Sequence, residues 1–384
     1  MQYRNRHTKI GKKQHNVTDY IFFRKKYLIY TYFTHVSDCM NDGREVTMYD
    51  LARKLNISVA TVSRGLQDDP VVSKKTKKKI TELAEALGYR SNNFARNLRT
   101  RRTQTIGVIV PRLKSYFMST VIAGIESVAN TEGYNLIISQ SSESAGQEKA
   151  SAKTMFNNRV DGLLVSLAYD TDDLSHLEAF TKKDIPVLFF DRVADHKDFT
   201  NILIDNKRAA YEATSHLISQ GCRKIIHITA PPKQNVYIDR LEGYKKALAD
   251  HRMRFLEDNV IIGNLSQEAG AEAAAVILKM KPLPDAVFAA NDNCAVGCML
   301  ALKQAGIRIP EQIAFVGFNN DPVSKVIEPN LTTINYPGYE MGEVAARNLI
   351  NHLNGVSELR NTNTIILRSE FIERASSQKR GRFT

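Results

Sequence analysis

Val59, Ala60, Ser63, Arg64 and Gln67 recur at helical spacing, and they bring short methyls, a hydroxyl, a guanidinium and an amide to one face. That mixture can read base edges in a DNA major groove, where methyl, donor and acceptor positions distinguish the base pairs. Periodicity alone does not separate it from an ordinary solvated helix face. A second set of polar residues follows apolar runs: Asp191-Arg192 after Phe190, Asn291-Asp292 after Ala290, and Asn319-Asn320-Asp321 after Phe318. Carboxylates, amides and a guanidinium can each serve vicinal hydroxyls of a polyhydroxylated ligand bidentately, although any one of them can equally cap a helix or close a turn.

The first set needs a short helix held by a small core. Leu51, Leu55, Val62 and Leu66 fall at three-, four- and seven-residue spacing on the inner faces of two helices broken at Asn56-Ile57, the pattern of a helix-turn-helix. Thr47 with Asp50 and then Ser58 can cap them, and Ser73 opens a third helix with Ile80, Leu83, Ala84 and Leu87 on one stripe, ended by Gly88. The second set needs strands. From Thr105 onward apolar runs at 106–110, 135–139, 162–166, 186–191, 224–229, 259–263, 286–291 and 314–319 alternate with amphipathic segments at 119–132, 207–220, 237–250, 267–280 and 292–305. Apolar strands separated by helix-length segments indicate parallel sheets covered on both faces, in two α/β units. Open parallel sheets bind ligands beyond the carboxyl ends of their strands, which is where the second set lies.

Thr47-Met-Tyr-Asp-Leu-Ala-Arg, Ser58-Val-Ala-Thr-Val-Ser-Arg, Val72-Ser-Lys-Lys-Thr and Leu87-Gly-Tyr-Arg-Ser-Asn-Asn-Phe-Ala-Arg-Asn-Leu resemble the DNA-binding head and hinge of the LacI/GalR family of bacterial transcription regulators, and the likeness runs to about Phe371. The resemblance implies an α/β protein. A three-helix helix-turn-helix head and a hinge helix precede a bilobed, periplasmic-binding-protein-like body of two doubly wound parallel sheets. The expected divisions are an extension at 1–45, the head at 46–90, the hinge at 91–102, the body at 103–374 and a basic tail at 375–384. The lobes are expected at 103–197 with 337–356 and at 198–333 with 360–374, crossing near 192–200, 333–337 and 356–363. In the head the resemblance adds Thr47, Tyr49, Ser58, Thr61, Ser73 and Thr76 to the DNA contacts. In the hinge, Asn92 and Ala95 accompany Leu98, which would wedge into the minor groove and kink the duplex.

In the body, the resemblance implies that Arg240 reaches into an effector pocket, with Ser115, Tyr116 and Phe117 after the first strand supplying contacts and ring faces. Asp191, Arg192, Asn291, Asp292 and Asn319 complete the expected pocket. Two departures bear on the ligand: Asn319 stands where the family usually has aspartate, and Tyr336 stands where glutamine is common, so that Tyr336 is expected to narrow the mouth of the cleft. The implied partners are a pseudo-palindromic double-stranded DNA operator, a carbohydrate-like small-molecule effector and a second copy of the chain. Two heads on a two-fold axis read two half-sites.

Composition agrees. The chain has a formal charge of +12, with +5 on residues 1–45, +8 on residues 46–102 and −1 on the remainder, so the positive charge lies where phosphate contacts would use it. Residues 1–39 are basic and aromatic, and charges interrupt their apolar stretches, unlike a secretory leader. The expectation is that translation starts at Met40 or that these residues form a disordered arm. No apolar run approaches the roughly 18 residues that span a bilayer. The four cysteines show no metal spacing, and Cys294 and Cys298 read as core thiols of a protein in a reducing cytoplasm. A nucleotide-binding glycine fingerprint, a GxSxG elbow and an HExxH motif are all absent, so no enzyme, cofactor or metal is expected. The competing class is a transport sugar-binding protein, which would share the body and have no use for residues 47–98.

Overall fold

Three short helices open the structure, a computed structural model that describes residues 45–89, 102–194, 196, 199–359 and 363–379. The expected start at Met40, the hinge residues Asn92, Ala95 and Leu98, and residues 380–384 lie outside the described residues. The contacts divide the chain into two compact units between residues 96 and 97.

In the head, α1 (Met48–Leu55), α2 (Val59–Leu66) and α3 (Lys74–Ala86) surround Leu51, Ala52, Val62, Ile80, Ala84 and Leu87. Asn56, at φ 52°, ends α1 in the left-handed region, and Ile57 N–H returns to the Ala52 carbonyl, which turns the chain into α2. Asp50 accepts from both the backbone N–H and the hydroxyl of Thr47, and Ser58 and Ser73 accept from the Thr61 and Thr76 amides at 3.1 and 3.2 Å. Leu66 departs from expectation, being 36 % exposed. The inner position one residue earlier is Gly65, where a Cβ would come within 2.4 Å of Ile80 Cδ1, so the helix seats on α3 through its backbone.

The body contains a six-stranded and a four-stranded sheet, each wholly parallel. The first comprises β1 (Thr105–Val110), β2 (Asn135–Gln140), β3 (Gly162–Val165), β4 (Val187–Phe190), β5 (Thr200–Ile204) and β11 (Thr364–Leu367), in the order β11-β5-β4-β3-β1-β2. Side chains alternate across it. Ile106, Val108, Leu164, Leu188 and Phe190 share a core with α4 (Tyr116–Thr131) and α12 (Gly338–Leu353), whereas Ile109, Leu163, Val165 and Phe189 share one with α5 (Ala145–Asn157) and α6 (Glu178–Thr181). The second sheet, β7-β6-β8-β9, is built from β6 (Ile225–Thr229), β7 (Val260–Ile262), β8 (Ala286–Ala289) and β9 (Ala314–Val316). It carries α7 (Asn206–Ser219) and α8 (Asn235–Asp250) on one face, and α9 (Gln267–Lys279) and α10 (Asp292–Gln304) on the other. The short α11 (Val323–Val326) precedes β10 (Thr333–Asn335), which pairs antiparallel with β12 (Glu370–Ile372).

The lobe boundaries expected from sequence need correction. Residues 200–204 and 364–367 were assigned to the second lobe, yet Phe189 aligns with Asn201 and Asn201 with Thr364 in the first sheet. The first crossing therefore follows Ile204. Its physical reason is the short β4–β5 connection, 191–199, in which no described residue is helical, shorter than the crossover that usually joins adjacent parallel strands. Glycines set the packing of α4 against α12 from both sides: a Cβ on Gly124 of α4 would lie 2.0 Å from the Tyr339 carbonyl of α12, and one on Gly342 of α12 would lie 2.0 Å from the Val121 carbonyl of α4. Backbones touch there directly.

His227 of β6 is wholly buried, stacked between Tyr244 and Phe288, with Nδ1 donating to the Phe288 carbonyl at 3.0 Å and Nε2 unpartnered among the described residues. Burial pushes its pKa down to about 4. The folded state thus binds fewer protons than an unfolded imidazole titrating near 6.5, so its contribution is complete above that pH and is lost as pH falls toward 4. The loss is on the order of 3 kcal/mol. The buried carboxyls of Asp191, Asp292 and Asp321 shift upward and act in the opposite sense. Chemical denaturation from pH 7 to 4 should therefore show a shallower decline for His227→Phe than for the parent, and parallel curves would remove His227 from the account.

Candidate functional site

The head presents the expected face on α2. Ala60, Arg64 and Gln67 are exposed, Val59, Thr61 and Ser63 are partly covered, and Val59 packs on the edge of the core. Gln67 sits just past the helix as its C-terminal cap. Tyr49 projects from α1 at 69 % exposure. The Ser58 and Thr61 hydroxyls are 2.8 Å apart, as are those of Ser73 and Thr76, so each pair gathers polar groups at a helix N-terminus, where free amides favour anions. Lys74, Lys75, Lys78 and Lys79 are exposed on α3, while Lys77 is turned back onto the Asp68 carbonyl and carboxylate at 2.8 and 2.6 Å.

In the body a cavity of about 760 Å³ lies beyond the carboxyl ends of the strands. Ser115, Tyr116, Phe117, Asp191, Arg192, Arg240, Asn291, Asn319 and Tyr336 all line it. Asp191 follows β4 at φ 60°, a conformation uncommon outside glycine, and its carboxylate accepts from the Tyr336 hydroxyl at 2.8 Å and from Ser166 Oγ at 3.4 Å. Burial raises the Asp191 carboxyl while Arg192 beside it opposes the rise. Burial also holds the Tyr336 phenol well above its usual pKa, so it remains a donor. Arg192 forms a two-pronged pair with Glu143 and reaches the Tyr237 hydroxyl at 3.0 Å. Arg240, 4 % exposed, donates to Asn206 Oδ1 at 2.9 Å and to the Ala290 carbonyl at 2.7 Å, with its guanidinium 3.6 Å from the Phe318 ring centre.

Two expectations fail at this site. Asp292 does not line the cavity: it is wholly buried, accepting from Thr333 Oγ1 and from the Asp321 backbone N–H, each at 2.7 Å. The Asp292 carboxylate, at the first position of α10, is held by the Thr333 hydroxyl of β10 and by the Asp321 amide in the turn after β9, and burial raises its pKa well above the usual range. Tyr336 does not stand at the mouth: it is buried, with its ring stacked on Phe117 at 4.3 Å between centres. Asn291 lines the cavity and also caps α10, accepting from Cys294 N–H and donating to the Leu265 carbonyl. Cys294 and Cys298 are buried beneath it, and burial lifts the Cys294 thiol to about 12, which makes it inert.

Sequence reasoning missed Glu143, Tyr237, Asn293 and Glu268, although all four line the cavity, as does Asp321, which the sequence places among the candidates after Phe318. Glu143 and Glu268 had no detectable signal, since each is one acid among many polar loop or first-turn residues. Tyr237 and Asn293 had one: each sits in the first turn of a helix whose N-terminus follows a strand. Among the described residues no group of His, Cys, Asp and Glu could hold a metal ion, and no helix is long and apolar enough to cross a membrane.

The family described as periplasmic binding proteins and sugar binding domain of the LacI family matches residues 103–374, and that described as bacterial regulatory proteins, lacI family, matches residues 47–92. Catabolite control protein A of Priestia megaterium is 31 % identical over 310 residues, covering 80 % of this chain and 93 % of the relative. Among solved structures, the lac repressor dimer bound to operator and the anti-inducer ONPF matches with a TM-score of 0.78 at 25 % identity, over 87 % of this chain and 99 % of that one. The complex of the transcriptional regulator CelR with cellobiose matches with a TM-score of 0.66 at 26 % identity, over 86 % of this chain and all of that one. The chain belongs to the LacI family of bacterial regulatory proteins and is a transcriptional regulator with a DNA-binding head and an effector-binding body.

Proposed function

We propose that the protein is a homodimeric repressor of the bacterial cytoplasm, seated on the nucleoid, whose grip on a pseudo-palindromic operator is set by a sugar or sugar derivative in the body cavity. The observation that carries this reading is the cavity's wall. Buried Arg192, Arg240 and Asp191 converge there with amides and ring faces, the inventory that polyhydroxylated ligands need. The operator and cellobiose complexes of similar proteins support the same division of labour.

In the head, Val59, Ala60, Ser63, Arg64 and Gln67 would meet base edges, with Thr47, Tyr49, Ser58, Thr61, Ser73 and Thr76 on the backbone. In the hinge, Asn92, Ala95 and Leu98 would order on the minor groove. In the cavity, Ser115, Tyr116, Phe117, Asp191, Arg192, Arg240, Asn291, Asn319 and Tyr336 would meet the effector. A dimer follows from the mechanism, since paired heads supply the discrimination that one small head lacks. The effector acts through its differing affinity for two arrangements of the body, a coupling on the order of 1–3 kcal/mol.

Two substitutions test the two halves separately. Arg64→Ala should lower the ratio of operator to random-duplex affinity by about 10- to 100-fold, read by fluorescence anisotropy at fixed salt. An unchanged ratio would remove α2 from the groove. Arg240→Ala should raise the effector concentration for half-response by about 100-fold, the worth of a charged hydrogen bond, while operator binding without effector persists. An unaltered dose response would take the ligand elsewhere.

A further inference from the structure

Tyr336 belongs to neither parallel sheet. It follows β10 on the segment that leads into α12, and its side chain meets groups from both sheets. On the side of the first sheet, Phe117 of α4 stacks on its ring at 4.3 Å between centres, and Asp191, just beyond β4, accepts its hydroxyl at 2.8 Å. On the side of the second, Phe318, just beyond β9, stands edge-on with its centre 6.1 Å away, and the Arg240 guanidinium of α8 lies 5.8 Å from the ring centre. The side chain therefore lies beyond the carboxyl ends of strands from two sheets, the place where open parallel sheets receive a ligand.

Its contacts are those a sugar would make. A six-membered ring gives one face to an aromatic side chain, and a hydroxyl on its rim donates to a carboxylate. A buried tyrosine of an ordinary core needs only a backbone acceptor, as Tyr244 has in the Ile225 carbonyl at 2.8 Å. Tyr336 instead takes a carboxylate that lines the cavity, and it takes the ring face of Phe117, which lines it too. The outer wall is left free of it: Tyr116 is half exposed, and Lys114, Gln267, Glu268 and Asn293 are exposed around the same cavity.

We propose that Tyr336 is a specificity-determining residue that occupies the innermost ring subsite of the cavity and confines the effector to the outer part, between Tyr116 and the first turn of α9. The proposal rests on the reading of the cavity as the effector site. A sugar that needs both the Phe117 face and the Asp191 carboxylate is shut out, because Tyr336 already holds them. An effector that seats farther out meets Tyr336 as the floor of its site.

The test is calorimetric titration at pH 7 of the full-length parent, Tyr336→Ala, Tyr336→Gln and Tyr336→Phe with glucose, galactose, mannose, ribose and, separately, phenol. Tyr336→Ala should take at least one of the sugars about 10- to 100-fold more tightly than the parent, the strength of one hydrogen bond to a charged group, or take a second equivalent where the parent already binds one. Tyr336→Gln keeps a donor for Asp191 and gives the same reading should the alanine variant fail to fold. Tyr336→Phe retains the ring and should gain no sugar. A hole left by an ordinary core tyrosine would take phenol alone. No gained sugar in the shortened variants, with or without phenol, therefore overturns the proposal, as does an equal gain in Tyr336→Phe. Operator affinity, read by anisotropy with the gained sugar present, separates the two levels. A shift upholds both. An unchanged affinity leaves Tyr336 in a ring subsite and removes the effector reading, whereas a missing gain sinks the role of Tyr336 and leaves that reading to the Arg240→Ala dose response.

Discussion

Charge buried without access to bulk water constrains the whole body. Asp191, Arg192 and Arg240 are all but inaccessible, and each is satisfied only by groups brought from other elements. The Tyr336 hydroxyl comes from beyond β10, Glu143 from the loop before α5, Tyr237 from α8, and Asn206 from the start of α7. Removing one member of such a set strands the others in a low-dielectric interior, at a cost on the order of 3–5 kcal/mol. The two sheets are therefore joined through a site that tolerates few arrangements. Asn235 strengthens the join, donating to the Asp191 carbonyl and accepting from Val193 N–H, as does Gln234, which donates to the Ala168 carbonyl.

The same placement bears on the proposed effector role of the cavity. The groups that would meet it are the groups that hold β4 to α8, so a ligand cannot engage Asp191 or Arg192 without entering into the join. Small rearrangements of a few buried hydrogen bonds are discrete, because close-packed interiors do not deform continuously. Among the described residues the head has no comparable network: its core is apolar, and its polar groups serve caps or face outward.

The sequence disclosed most where structure is local. Ser58, Ser73 and Asn56 cap or end their helices as their side chains dictate, and the five amphipathic segments named from periodicity become α4, α7, α8, α9 and α10 within a few residues. It disclosed less where pairing partners are far apart in the chain. Thr364–Leu367 joins the first sheet only through Thr200–Ile204, and neither strand announces its neighbour. Leu66 was misplaced because Gly65, with no side chain, occupies the inward position that hydrophobicity alone would give to a leucine. The cavity was half legible. Residues following strands could be named, but whether Asp292 or Asp321 faces the space depends on a turn in which Asn319 and Asn320 adopt φ 108° and 58°, conformations that no periodicity encodes.

The reciprocal glycines of α4 and α12 have a mechanical consequence. Gly124 lies on the Tyr339 carbonyl and Gly342 on the Val121 carbonyl, which leaves no side-chain cushion at that crossing. Soft interdigitated side chains can absorb a displacement by changing rotamer, whereas abutting main chain cannot. A displacement of α4 against α12 at this crossing therefore meets main chain, with no rotamer change there to absorb it.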